Sequence, residues 1–213
     1  MKITIVYDNR RAVPGLRTGW GFSALVEADD TPAILFDTGD NGAALLYNME
    51  QLGIDPARIG IIVISHAHAD HTGGLAELLE YNEHARIYVP SSVAVRREER
   101  EIIPVNKPIY ISDSVMSTGT LGGIEQSLAI RTAAGIMVVA GCSHPGVGLI
   151  LDVAAQFGDV HGIVGGFHGF RDLRRLAGLS LICPCHCTKY TAEIREMYPQ
   201  QTMDCGSGLI IEL

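Results

Sequence analysis

The chain has 213 residues, 47% of them hydrophobic and 19% charged, with a formal net charge of -8 and an isoelectric point near 5.4. That length supports one sizeable core and is short for two, so a single domain over residues 1–213 is expected. The acidic balance, without a clustered basic face, argues against a nucleic-acid partner, and the lack of a bilayer-length apolar stretch or a signal-peptide pattern argues against a membrane partner and for a cytoplasmic protein.

Residues 2–7 alternate as a first strand, and Asp8 to Arg11 with Pro14-Gly15 read as a loop. Gly19-Trp20-Gly21-Phe22-Ser23-Ala24 formally fits a dinucleotide fingerprint, but the residues that follow alternate as a strand where that fingerprint requires a helix. Residues 33–36 form the next strand, antiparallel to it across Asp29-Asp30, and end at Asp37, which on its own is as readily a turn former as a functional carboxylate. Helical spacing over residues 42–52 sets Ala43, Leu46, Met49 and Leu52 on the expected buried side, with Gly53 as C-cap. Asp55 caps a short turn leading into an apolar strand that delivers His66. A helix over 75–81 and a strand over 86–89 follow. The charge run 96–101 is expected to be a solvated helix face, 104–108 a loop, and 91–120 as a whole a lid or substrate rim.

In the second half, residues 125–130 and 135–140 predict a hairpin running into Gly141-Cys142-Ser143-His144-Pro145-Gly146. Helix is expected over 147–157, strand over 160–164 broken by Gly165-Gly166-Phe167-His168-Gly169, and strand over 179–182 leading to a loop over 183–188. A helix over 192–197 and a closing strand over 208–212 complete the chain. Three strands here end in histidine-bearing loops, which implies one shared edge of the fold.

Between the strand at 61–65 and the helix at 75–81 lie His66, His68, Asp70 and His71, three histidines and a carboxylate within six residues. In extended backbone His66 and His68 share a side and can chelate one cation; Asp70 and His71 sit where the chain turns and can serve a second. Imidazole and carboxylate without a thiolate in the loop suit Zn²⁺, with Mn²⁺ or Fe²⁺ as alternatives, so two divalent metal ions are expected. His144 and His186, each just after an apolar strand, are the candidates to complete the two shells, whereas His84 and His161 read as ordinary surface or core residues. The five cysteines, Cys142, Cys183, Cys185, Cys187 and Cys205, cluster after residue 141 and suggest reduced thiols near a site rather than a disulfide framework.

His66-x-His68-x-Asp70-His71 followed by Thr72-Gly73-Gly74-Leu75 resembles the signature of the metallo-β-lactamase superfamily. The resemblance implies an α/β fold, the four-layer αββα sandwich of the metallo-β-lactamase type. It also implies that Asp37 lies under the ligands and orients a histidine, that His144 completes the first metal, and that His186 in Pro184-Cys185-His186-Cys187-Thr188 is the last metal histidine. Hydrolytic members of the superfamily carry an aspartate bridging both metals at a strand end where this chain has Gly141-Cys142. Three readings stay open there: Cys142 bridges as a thiolate, His144 binds alone, or the second metal is weak; Cys142 as a small buried residue is the plain alternative. The loops around Cys142, His168 and His186, with Gly206-Ser207-Gly208, are similar to a branch that includes the archaeal dihydropterin ribofuranosylaminobenzene phosphate synthases. That likeness runs from about Asp37 to the C-terminus. His168 lies outside the general superfamily pattern and is a candidate proton donor or substrate contact, with a structural role as the alternative.

The expected activity is that of a hydrolase in which a metal-bound hydroxide attacks a small anionic ester, thioester, lactone or phosphoester, with Asp70 orienting the nucleophile and His168 protonating the leaving group. The branch resemblance implies an alternative, transfer of a dihydropterin methyl group with pyrophosphate release. A third reading, a non-catalytic or redox module with a further metal on Cys183, Cys185 and Cys187, has a spacing too tight for an ordinary zinc knuckle.

Overall fold

The structure, a computed structural model, describes residues 1–93 and 101–213. One sheet contains β1 (Lys2–Tyr7), β2 (Ser23–Glu27), β3 (Ile34–Phe36), β4 (Ile61–Val63), β5 (Arg86–Val89) and β6 (Ile102–Pro104), and the other contains β7 (Ile109–Tyr110), β8 (Val115–Ser117), β9 (Leu128–Thr132), β10 (Gly135–Ala140), β11 (Val160–Gly166) and β12 (Leu181–Cys185). The closing strand β13 (Ile210–Glu212) joins the first sheet, which is ordered β13-β1-β2-β3-β4-β5-β6; the second is ordered β12-β11-β10-β9-β8-β7. Strands joined by turns, such as β2 with β3 and β9 with β10, pair antiparallel. Strands separated by a helix pair parallel: β3 with β4 across α1 (Gly42–Gln51), and β10 with β11 across α4 (Val147–Ala154). Among the described residues three shorter α-helices complete the set, α2 (Ala69–Thr72), α3 (Leu75–Tyr81) and α5 (Thr191–Met197). No helix among the described residues is long and apolar enough to cross a membrane.

Side-chain alternation explains the layering. Along β4, Ile61 and Val63 join a core that includes Met137 and Val139 of β10, while Ile62 and the following Ile64 face Leu45, Met49, Leu75 and Leu78 of α1 and α3. Along β10, Ile136, Val138 and Ala140 face the other way, onto Val147, Ile150 and Leu151 of α4 and Ile194 of α5. Three apolar interfaces therefore separate four layers, helix on sheet on sheet on helix, each fully buried aliphatic side chain contributing about 1.5–3 kcal/mol.

Some elements differ from the sequence reading. The buried side of α1 is Ala44, Leu45, Asn48 and Met49, and Ala43 is exposed. The helix is rotated because Asn48 is a buried polar residue, its amide donating to the Val6 and Arg17 carbonyls. Residues 102–104 and 109–110 are edge strands and 115–117 lies one strand in, so these parts of the expected lid or rim belong to the sheets. Of the expected charged helix, residues 96–100 lie outside the described residues. The hairpin strand β9 begins at Leu128, not 125, because Glu125 and Gln126 turn inward to hydrogen-bond other segments. Helix α4 stops at Ala154, short of 157.

The glycines that seemed to break β11 lie inside it. Gly165, at φ +136°, pairs with Ala140, and a Cβ there would stand 2.0 Å from the Ala140 carbonyl oxygen, so only glycine lets the two strands approach. Similarly β12 runs on through Cys185, so Cys183 to Cys185 are strand rather than loop. Cys185 is joined to Cys205 in a disulfide with Cα atoms 5.3 Å apart, contrary to the expectation of reduced thiols throughout; tertiary folding sets the end of β12 beside the segment before β13.

Candidate metal centre

The carboxyl ends of β3, β4, β10, β11 and β12 open on one edge, where the parallel strands all deliver their following residues. Six of the eight histidines of the chain gather there. The imidazoles of His66, His68 and His144 form a triangle with ring centroids 4.6–4.8 Å apart, and His66 Nε2 lies 3.0 Å from His68 Nδ1. Asp70, His71 and His186 form a second triad: Asp70 Oδ2 is 3.0 Å from His186 Nε2 and 3.8 Å from His71 Nε2. The two triads touch, the His66 and His71 rings being 4.2 Å apart. Cys142 lies between them, its Sγ 3.1 Å from His71 Nε2 and within 4.8 Å of ligand atoms in both triads.

Asp37 determines which nitrogens are free to bind. Its side chain is fully buried behind the histidines, with Oδ2 2.6 Å from His71 Nδ1 and 2.7 Å from Ser65 Oγ, while Oδ1 accepts the Ser65 N–H at 2.7 Å. Ser65 Oγ donates to Asp37 and therefore accepts from His66 Nδ1, 2.8 Å away. One carboxylate thus fixes the Nδ1–H tautomer of His71 directly and of His66 through Ser65, leaving both Nε2 lone pairs aimed into the site. On the opposite side His186 Nδ1 is 2.9 Å from Asn9 Oδ1, which frees its Nε2 in the same way.

Backbone anchors hold the ligand loops. The buried Glu125 carboxylate accepts the N–H groups of Cys142 and Ser143 on one oxygen and of His144 on the other, all at 2.9 Å. Asp8 accepts the His186 N–H at 2.9 Å, and Asn9 Nδ2 donates to the His186 carbonyl. Asp37, Ser143, His168 and His186 all have positive φ (60°, 59°, 45° and 46°), the non-glycine residues with that conformation among the described residues. Such conformations cost of order 1–3 kcal/mol each, and here all four border the histidine cluster. Sequence reasoning did not single out Ser65, Asn9, Asp8 or Glu125. For Glu125 the faint signal was a charge at the head of the expected strand, followed by the polar Gln126 and Ser127.

The electrostatics keep His66, His144 and His186 neutral and available. Burial, then the neighbouring imidazoles, push His66 down to about 2, and burial, then His71, push His186 down to about 4. His144 is lowered chiefly by burial as well. For His71, burial pulls downward but Asp37 more than offsets it, and its proton affinity is raised. Burial likewise raises Asp70, but His71 and His186 outweigh it and the carboxyl stays below its usual range. Asp8 is raised to about 6 by burial.

A cation fits this donor set. His144 Nε2 is buried and has no hydrogen-bond partner, a loss that a bound cation would repair. His66 and His68 direct ring nitrogens at each other across 3.0 Å, and the carboxylate and thiol complete a mixed N, O, S set of a kind that transition metals take. His168 stands exposed at the rim, its ring 5.0 Å from that of His144, and Trp20, 59% exposed, lies 4.9 Å from the His186 ring on the other side. His84 is exposed and His161 partly buried, and neither belongs to the cluster. Cys187, not Cys183, approaches the centre; Cys183 groups with Cys185 and Cys205 instead.

The family model described as Metallo-beta-lactamase superfamily matches residues 19–135, more than half of the chain. The 7,8-dihydropterin-6-methyl-4-(beta-D-ribofuranosyl)-aminobenzene-5'-phosphate synthase of Methanocaldococcus jannaschii is 26% identical over 242 aligned positions, covering 81% of this chain and 82% of the relative. A solved metal-dependent hydrolase of the beta-lactamase superfamily superposes with a TM-score of 0.79 at 26% identity, over 100% of this chain and 99% of the other. Zn²⁺-bound PqqB from Methylobacterium extorquens, at 13% identity and a TM-score of 0.68 over the full length of both chains, shares the fold.

Proposed function

Because this chain belongs to the metallo-beta-lactamase superfamily, we propose that it is a metal-dependent hydrolase of a small anionic ester-, lactone- or phosphate-type substrate, working at a two-cation centre. His66, His68 and His144 would hold one divalent ion and Asp70, His71 and His186 the other, with Cys142 between; zinc suits the donors best, manganese or iron being alternatives. When bound, such ions acidify water and polarise a substrate oxygen.

The protein's own groups do the rest. Asp37, through Ser65 and directly, sets the ring proton of His66 and His71 on Nδ1 and turns Nε2 to the centre, so that the centre is organised before substrate arrives. The Asp70 side chain is 18% exposed and faces the opening, so its carboxylate can orient the attacking water. His168 stands at the rim beside His144, where its imidazole can protonate a leaving group, and Trp20 offers an aromatic face to substrate on the opposite side. The partner is therefore a small molecule, with no nucleic acid or membrane required.

The observation that carries this reading is the unpartnered, buried His144 Nε2 within a triangle of imidazoles. Elemental analysis of wild type, His144→Ala and His186→Ala, purified without added metal, tests it. Two equivalents in wild type, reduced by each substitution, are expected; one or fewer, unaffected by His186→Ala, would remove the two-cation mechanism.

A second reading is favoured by the synthase relative. In it the same centre supports transfer of a dihydropterin methyl group to an aromatic acceptor with release of pyrophosphate. Pyrophosphate release that depends on an added acceptor would establish transfer, whereas turnover without acceptor would establish hydrolysis.

A further inference from the structure

Two thiols meet at the centre. Cys142 Sγ lies 3.2 Å from Cys187 Sγ, although the residues are 45 positions apart and follow different strands, β10 and β12. Both are free, Cys142 buried at 2% exposure and Cys187 partly exposed. The approach depends on Gly166 of β11, which lies between them in the sheet: a Cβ on Gly166 would stand 2.7 Å from Cys187 Sγ and 3.3 Å from the Cys142 Cα. The thiol of Cys187 thus rests on bare backbone and reaches across to its partner. A disulfide requires sulfurs about 2.05 Å apart. The remaining gap is about 1.2 Å, to be closed by rotation of two unbranched side chains.

We propose that Cys142 and Cys187 form a reversible oxidation site at the centre, with a hydroperoxide as oxidant. The Cys187 sulfur, the more accessible of the two, attacks the O–O bond, becoming a sulfenic acid and releasing water from hydrogen peroxide or an alcohol from an organic hydroperoxide. The Cys142 sulfur then forms the S–S bond, and the hydroxyl of the sulfenic acid departs as water with the Cys142 thiol proton. Two thiols lose two electrons and two protons; the peroxide gains both. A dithiol reverses the bond by exchange. The consequence for metal rests on the reading of the centre given above: the disulfide turns Cys142 Sγ away from His71 Nε2 and withdraws the one sulfur placed between the triads.

The test uses the full-length protein, reduced, freed of metal with a chelator, and treated with one equivalent of hydrogen peroxide. Peptide mapping is expected to show a Cys142–Cys187 cross-link that is absent in Cys187→Ser, kept in Cys183→Ser and cleaved by dithiothreitol. Zinc titration of the oxidised form is expected to show at least about 10-fold weaker binding than the reduced form, restored by reduction. Failure of the cross-link to form, or its persistence between Cys142 and another cysteine in Cys187→Ser, overturns the proposal. Zinc bound normally without a cross-link would refute the oxidation site alone, whereas a cross-link in a protein that binds no zinc when reduced would refute the metal centre and leave the thiol pair standing.

Discussion

Replacing Asp37 by Asn isolates its role in setting tautomers. Asparagine tolerates the φ of +60° at this position and matches aspartate in size, so backbone and packing are preserved. Its Oδ1 can still accept the Ser65 N–H, but an NH₂ group replaces the oxygen that accepts from both Ser65 Oγ and His71 Nδ1. Donor then faces donor. His71 must move its proton to Nε2, and Ser65 must turn its hydroxyl toward His66 Nδ1, which drives the His66 proton to Nε2 as well. One atom therefore removes a binding lone pair from each triad. Losing a carboxylate that orients a ligand histidine weakens metal binding about 10- to 100-fold. That is about 1.4–2.8 kcal/mol at each cation, and the two losses should appear at separate sites. Competitive chelator titration with zinc measures both steps, and circular dichroism checks the fold. Two zinc affinities within about threefold of wild type, in a folded Asp37→Asn protein, would refute the relay.

Further predictions follow from the anchors and the sheet. Glu125→Gln keeps one acceptor oxygen for three N–H donors, so unfolding in urea of the zinc-free protein should show a loss of about 1.5–3 kcal/mol, with no change refuting the anchor. Gly165→Ala places a Cβ against the Ala140 carbonyl at a φ that alanine resists, and thermal melting should register a loss of more than about 2 kcal/mol. In zinc-free protein, stability should fall as pH drops below about 6.5. There the unfolded chain takes up protons that His66 and His186, held at about 2 and about 4, refuse in the folded state. Asp8, raised to about 6, opposes this by taking one proton in the folded state, and Glu125 acts in the same sense as Asp8 while His144 acts against them. The lowered histidines, His66, His144 and His186, outnumber the raised carboxylates Asp8 and Glu125, and urea midpoints that stay flat or rise on acidification from pH 6 would contradict it.

Much of this architecture can be read along the chain. The unbroken apolar runs of residues 61–64 and 136–140 mark strands buried on both faces, and the run His66, His68, Asp70, His71 marks a cation site, because neighbours in sequence that share a strand or a turn also share a place in space. Asn48 misled the reading of α1 because an apolar pattern carries no information about a buried amide. Gly165 and Gly166 misled it as well: glycine signals a break in most settings and a close strand approach in few.

The local chemistry, that is, which strands end in ligands and which residue types those ligands are, is written in the order of residues along the chain. How the ligands are held, and what stands between them, depends on contacts between distant segments. Asn9 reaches His186 across 177 positions, Glu125 grips the Cys142 loop from 17 positions away, and Cys187 meets Cys142 over Gly166. These contacts depend on the order of strands in two sheets and on one open edge where both end. Strand order arises from burial of three apolar layers at once, a global requirement to which no short stretch of sequence corresponds.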